Sequence, residues 1–211
     1  MDDPAQARAY AAADFSEPHE RFLSLLRERF PPDVFRGRIV DLGCGPGDIM
    51  VRFGRAFAAC TVDGVDGSEA MVELARVAIE QAGLRARLRV HLGRLPDFRA
   101  PRVDYDGVIS NSLLHHLADP GSLWTSVRRV ARGGAFVFVV DLLRPQSLAA
   151  TDRLVELHGS DLTPEVRCDF RASLLAAYGS EEIREQLAAS GLAHLHVQAV
   201  SDRHVMVSGY L

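Results

Sequence analysis

The sequence predicts an α/β fold: an open, doubly wound, mostly parallel sheet with helices on both faces. Three observations carry this. From residue 37 to residue 140, short apolar runs alternate with stretches whose apolar residues recur at helical spacing. The run 135–140 is apolar at every position, as expected of a strand covered on both faces. The run 39–42 leads straight into Gly43-Cys44-Gly45-Pro46-Gly47, the form of a strand-to-helix turn with bare backbone. In such sheets ligands lie at the carboxyl ends of the strands, so the residues just after strands are the ones to read for chemistry.

Each element follows in order. Residues 5–30 read as one or two helices: the alanine-rich stretch 7–13 suits one, and Ser16 caps a second that carries Phe22, Leu25, Leu26 and Phe30. Pro31-Pro32 ends it. After the strand 39–42, a helix is expected over 49–58 and a second strand over 60–65, ending Val65-Asp66-Gly67. Ser68 caps a helix with Met71, Leu74, Ala75, Ala78 and Ile79 on one face, and Gly83 stops it. Strands follow at 88–92 and 105–110. Asp119-Pro120 opens a helix with an apolar stripe of Leu123, Trp124, Val127 and Val130; Gly133-Gly134 breaks it before the strand 135–140. Beyond Asp141, residues 146–190 hold two or three helices, with starts at Thr163-Pro164 and Ser180-Glu181-Glu182 and a stop at Gly191. Two alternating runs, 194–200 and 204–210, read as a hairpin across Ser201-Asp202-Arg203. The expected organisation is an N-terminal helical cover over 1–32 and one domain over 33–211, whose helical insertion at 145–180 could serve as a lid.

A chain of 211 residues with 47% hydrophobic and 25% charged residues has the balance of an ordinary globular protein. Its net charge of −4 and pI near 6.1 argue against a bare nucleic-acid binder, although a local basic patch is compatible with that total. Cys44, Cys60 and Cys168 are scattered, odd in number and lack C-x-x-C spacing. Reduced thiols and a cytoplasmic setting are expected, with no disulfide framework and no metal site. No signal peptide and no membrane helix are visible. The expected partner is a small-molecule substrate, not nucleic acid or membrane, and the expected state is a monomer or homodimer.

The glycine spacing narrows the ligand. A dinucleotide turn wants G-x-G-x-x-G, and counting from Gly43 the last glycine falls on position 48, which is Asp48. Val40-Asp41-Leu42-Gly43-Cys44-Gly45-Pro46-Gly47 resembles instead the first motif of class I methyltransferases that use S-adenosylmethionine (SAM), and Gly64-Val65-Asp66 resembles their second. The resemblance runs by motif from about Gly37 to Gly134. It implies a Rossmann-like, seven-stranded sheet whose last strand is antiparallel, an enzyme transferring a methyl group, SAM as cofactor and S-adenosylhomocysteine as product. By segment, the chain looks like a bacterial subgroup of small-domain methyltransferases without an assigned substrate.

The resemblance also implies roles. Asp66 would meet the ribose hydroxyls, with Gly67 beside it; Asp63, the competing carboxylate, points the other way and is expected to be solvated. Asp41 would lie near the amino group of SAM, over Gly43, Cys44, Gly45 and Gly47, and Cys44 is not read as a nucleophile. The third motif departs from the family: Leu92-Gly93-Arg94-Leu95-Pro96 is short and lacks its aspartate, so adenine would rest on Gly93 and Arg94, with Arg94 either stacked or solvated. After the fourth strand, Asn111 and Ser112 precede His115-His116, where the family places groups near the transferring methyl. Asn111, His115 and His116 are the catalytic candidates, one imidazole taking a proton from the acceptor or else packing under the adenosine. Tyr10, His19, Arg144, Arg203 and His204 are the substrate candidates, Arg144 or Arg203 holding an anionic group or else forming local salt bridges. Two rivals to a small-molecule methyltransferase are an RNA or protein methyltransferase and a non-catalytic SAM-binding partner protein.

Overall fold

The computed structural model describes residues 16–160 and 162–211. Tyr10 and the expected helix at 7–13 lie outside the described residues. Seven strands and seven α-helices occur among the described residues: α1 (Ser16–Arg29), β1 (Gly37–Leu42), α2 (Asp48–Ala56), β2 (Cys60–Asp66), α3 (Glu69–Gln81), β3 (Leu88–Leu92), β4 (Tyr105–Asn111), α4 (Gly121–Val130), β5 (Ala131–Leu142), α5 (Leu148–His158), α6 (Pro164–Ala176), α7 (Ser180–Ala189), β6 (His196–Ala199) and β7 (His204–Tyr210).

The strands form one sheet in the order β3-β2-β1-β4-β5-β7-β6. Pairings among β1 to β5 are parallel, and β7 is antiparallel to both β5 and β6. The chain therefore winds outward from β1 to β3, returns to place β4 on β1's other side, and winds the opposite way. That reversal leaves a crevice at the carboxyl ends of β1 and β4.

Alternation along each strand builds two cores. Ile39, Val62, Ile109, Phe136 and Phe138 face α1, α2 and α3, while Val40, Val65, Val108, Val137 and Val139 face α4 and α7. Phe22 of α1 meets Phe138 edge-on at 4.9 Å between ring centroids, and Phe30 lies 5.3 Å from Phe136. A third, small cluster of Leu142, Val155, Leu174 and Ala177 ties α5 and α6 to the end of β5. Ser68 caps α3 by accepting the Met71 N–H at 3.4 Å, and Gly83 takes φ +70° just past its end.

The sequence places the break between α4 and β5 at Gly133-Gly134. In the structure α4 ends at Val130 and β5 begins at Ala131. The pairing register with β4 shifts between Tyr105 and Gly107, so the two glycines occupy a bulge inside the strand's start, Gly134 at φ +77°. Asp63 also differs from its expected solvation. Its side chain, 17% exposed, accepts the Tyr105 hydroxyl at 2.8 Å and lies 3.1 Å from His91 Nε2, tying β2 to its neighbour β3 and, past β1, to the start of β4.

Candidate active site

The glycine turn packs against β2. The N–H groups of Gly43 and Cys44 both donate to the Val65 carbonyl, at 2.8 and 3.1 Å. Gly43 has φ +74°, and a Cβ there would fall 2.6 Å from Leu113 Cδ1, so both backbone and contact require glycine. Gly45 has φ +52° and a Cβ there would meet nothing within 4 Å, because the residue faces an open cleft. Asp66, at the end of β2, clasps the turn: its carboxylate accepts the Gly45 N–H at 2.9 Å and the Ser68 N–H at 2.8 Å.

Asp41 stands apart. It is 1% exposed, and neither carboxylate oxygen has a hydrogen-bond partner among the described residues. Burial, and secondarily the Asp66 charge, push its carboxyl from an ordinary 3.8 up to about 8. A buried polar group without a partner is costly, and both of these oxygens sit at the carboxyl end of β1, on the wall of the cleft. Cys44, beside them, has its thiol pushed well up by burial and then by Asp41 and Asp66, which suits a packing residue rather than a nucleophile.

The cleft holds about 460 Å³, within the range of roughly 300–1,000 Å³ usual for small-ligand sites. It gathers Asp41, Gly43, Cys44, Gly45, Asp66, Gly67, Gly93, Arg94, Asn111, His19 and His116 from the sequence candidates. Four others do not line it for plain reasons. Gly47 packs on α3, where an added Cβ would sit 3.0 Å from Ala75 Cβ. Arg144 pairs with Glu182 at 2.5 Å. Arg203 pairs with Asp202 at 3.1 Å and donates to His158 at 2.8 Å. His204 lies 2.9 Å from Ser201 Oγ through Nδ1.

The two adjacent histidines part company. His115 points inward, its side chain 4% exposed, with Nδ1 2.6 Å from Asp141 Oδ1; Asp141 also accepts the Leu114 and Leu142 N–H groups at 2.7 and 2.8 Å. His115 does not line the cleft. His116 does, its ring centroid 4.0 Å from that of His115, and burial, then His115, lower it from 6.5 to about 4. It is a neutral imidazole at physiological pH. Ser112, between these residues and β4, holds φ +54° while its N–H donates to the Val140 carbonyl at 2.9 Å. The residues that sequence reasoning did not assign to the site are mainly apolar: Met71, Leu95, Leu113 and Leu117. Met71 has a helix-face signature indistinguishable from that of a core residue, and only its place beside Asp66 reveals its second surface.

Residues 39–134 match a family model described as a methyltransferase domain. By this match the stretch is similar to methyltransferase domains. Its chain is 30% identical over 125 residues to a ubiquinone biosynthesis O-methyltransferase of Dinoroseobacter shibae, covering 58% of this chain and 49% of that protein. It is 35% identical over 100 residues to a trans-aconitate 2-methyltransferase of Mycolicibacterium gilvum, covering 47% and 36%. The match thus spans half or less of the length of these relatives. In fold, the chain superposes on a SAM-dependent methyltransferase of Aquifex aeolicus with a TM-score of 0.66 at 18% identity, covering 98% of this chain and 97% of that one. No helix among the described residues is long and apolar enough to cross a membrane.

Proposed function

We propose that the chain binds SAM in the cleft between β1 and β4 and transfers its methyl group to a small-molecule acceptor. The observation that carries this is Asp41: a buried carboxylate with two unpartnered oxygens on the wall of a ligand-sized cleft. Such a group calls for a cationic ligand, and the ammonium of SAM's amino-acid end fits it. Asp66 stands where a diol would meet its acceptor oxygens while it holds the glycine turn. Met71 and Leu95 offer apolar surface near Asp66 for a flat base, with Gly93 and Arg94 beside them.

Bound there, SAM supplies a methyl group on a sulfonium, activated for in-line displacement. The protein's part is to orient, since proximity can account for much of such a rate. Asn111 and Ser112 form the polar edge at the end of β4, and His116 is the neutral imidazole that can accept the proton of a hydroxyl acceptor as the new bond to carbon forms. His115 and Asp141 stand behind it as positioning residues. The insertion 145–180 is proposed as the cover of the acceptor side, because Tyr178 donates to the Leu117 carbonyl at 3.5 Å, on the turn that carries His116. The test is calorimetry with SAM and S-adenosylhomocysteine. Both are expected to bind the wild type, and Gly45→Arg and Asp66→Ala are expected to weaken binding strongly; binding left intact in both variants overturns the assignment.

A further inference from the structure

We infer, on the reading that this cleft takes SAM, that the methyl acceptor is an uncharged phenol: an apolar body with an aromatic hydroxyl and no carboxylate, phosphate or amine. Along the carboxyl edge of the sheet the strands run β2-β1-β4-β5. A ligand held at Asp66 and Asp41 therefore reaches β4 next, and the acceptor meets the turn that follows β4.

That wall is apolar, with neutral polar points. Leu113, Leu117 and Ala118 line it, and Leu113 lies over the glycine turn, against the place a Cβ of Gly43 would take. Asn111 and Ser112 add an amide and a hydroxyl, which can both donate and accept. Ser112 holds φ +54°, a conformation that costs a residue with a side chain and is met at ligand-facing positions.

Charge narrows the class further. A carboxylate or phosphate on the acceptor needs a cation, because a charge taken out of water without a partner is costly. On the β5 side of the turn, Arg144 is paired with Glu182, Arg203 with Asp202, and His115 lies against Asp141. His204, opposite Leu142, is pushed down to about 4 by burial and then by Arg203, so it is neutral. Arg94 lies beside Gly67, two strands away from β4, and His19 Nδ1 has Asp48 against it. An amine fails for the opposite reason. Protonated at neutral pH, it would face the sulfonium, like charge against like.

The nucleophile that remains is a neutral group with a proton to give, and a weak base selects among those. Burial, then His115, lower His116 to about 4. Such a base suits a phenol, with a pKa of about 10, better than an alcohol, whose pKa is close to the ~16 of water. As the phenol oxygen bonds to the methyl carbon, the carbon–sulfur pair stays on sulfur and the hydroxyl proton passes to His116. The products are an aryl methyl ether and S-adenosylhomocysteine.

Three probes that share one ring test this by calorimetry: p-cresol, 4-hydroxybenzoate and 4-hydroxybenzylamine. Each is titrated into protein saturated with sinefungin, a SAM analogue that keeps a positive charge at the methyl position. p-Cresol is expected to bind at least tenfold tighter than either charged probe, and to yield 4-methylanisole with SAM. Ala118→Lys, at an exposed position of the same wall, should raise 4-hydroxybenzoate at least fivefold relative to p-cresol while leaving sinefungin within threefold. A charged probe bound as tightly as p-cresol, p-cresol left unbound or unmethylated by protein that binds SAM, or an unchanged probe ratio in Ala118→Lys overturns the inference. A wild type that binds neither sinefungin nor SAM overturns the SAM reading instead.

Discussion

Asp41→Asn is the sharpest perturbation, because it sets binding against stability. In the unliganded protein the Asp41 carboxyl is raised from 3.8 to about 8. A carboxyl whose folded pKa exceeds its unfolded one holds more protons when folded, so stability is full below about pH 4 and is lost as pH rises toward 8. At about 1.4 kcal/mol per pKa unit, the loss accumulated by pH 7 is about 4 kcal/mol. Asparagine cannot ionise, so the variant lacks this slope, though its buried amide costs ~1–3 kcal/mol where it finds no partner. Urea unfolding without ligand is therefore expected to show Asp41→Asn as the more stable protein at pH 7 by about 1–3 kcal/mol, with the advantage gone near pH 4. SAM should reverse the ranking at neutral pH. Loss of a charge-assisted bond worth roughly 1.5–3 kcal/mol weakens binding about tenfold to a hundredfold, and saturating SAM then stabilises the wild type more. A stability difference that does not change between pH 4 and pH 7, or a variant less stable than wild type at pH 8, would refute the reasoning.

Three further predictions use other parts of the molecule. Gly45→Ala should cost about 1–2 kcal/mol of stability from its positive φ, yet weaken SAM disproportionately because its methyl enters the cleft; Gly43→Ala, which meets Leu113 at 2.6 Å, should lose more stability, and paired melting and calorimetry separate the two. Asp63→Ala strips the fully buried Tyr105 of its acceptor and should cost about 1–3 kcal/mol while leaving SAM affinity within twofold. Burial opposes it, but His91 and Tyr105 hold the Asp63 carboxyl below its ordinary range. Its contribution is thus present above about pH 4 and disappears as pH falls further, and the variant should lose that acid limb in a melting profile. His116 is competent as a base only when neutral, so with any hydroxyl acceptor found, kcat/KM should fall as acid carries the ring through about pH 4; His116→Ala should lower kcat with little change in SAM affinity.

Much of this was legible beforehand, and the gaps have physical causes. Strand positions followed from alternation and from continuous apolar runs, and the glycine turn and Asp66 from spacing. The start of β5 was missed because Gly133-Gly134 has the composition of a helix stop, while the bulge opposite Tyr105 depends on pairing with β4, a partner remote in sequence. Asp63 was missed for a similar reason: alternation tells which face a side chain takes, but not that Tyr105 and His91 wait there. The substrate candidates Arg144 and Arg203 belong to the right edge of the sheet by topology, yet each finds an acidic partner first, Glu182 and Asp202.

The histidine pair shows why the site needs both levels of reading. Two identical side chains, adjacent in sequence, are chemically equivalent until Asp141 takes one of them. Asp141 accepts the Leu114 N–H and lies within hydrogen-bond distance of His115 Nδ1, so its carboxylate pins the post-β4 turn at two successive residues, while the next ring, His116, lines the cleft. Asp41 is the converse case. At the carboxyl end of β1 the described protein gives its carboxylate no hydrogen-bond partner, and in the proposed function the ammonium of the ligand supplies it. In that proposal a group that would be a defect in a structural core becomes the recognition element of the site.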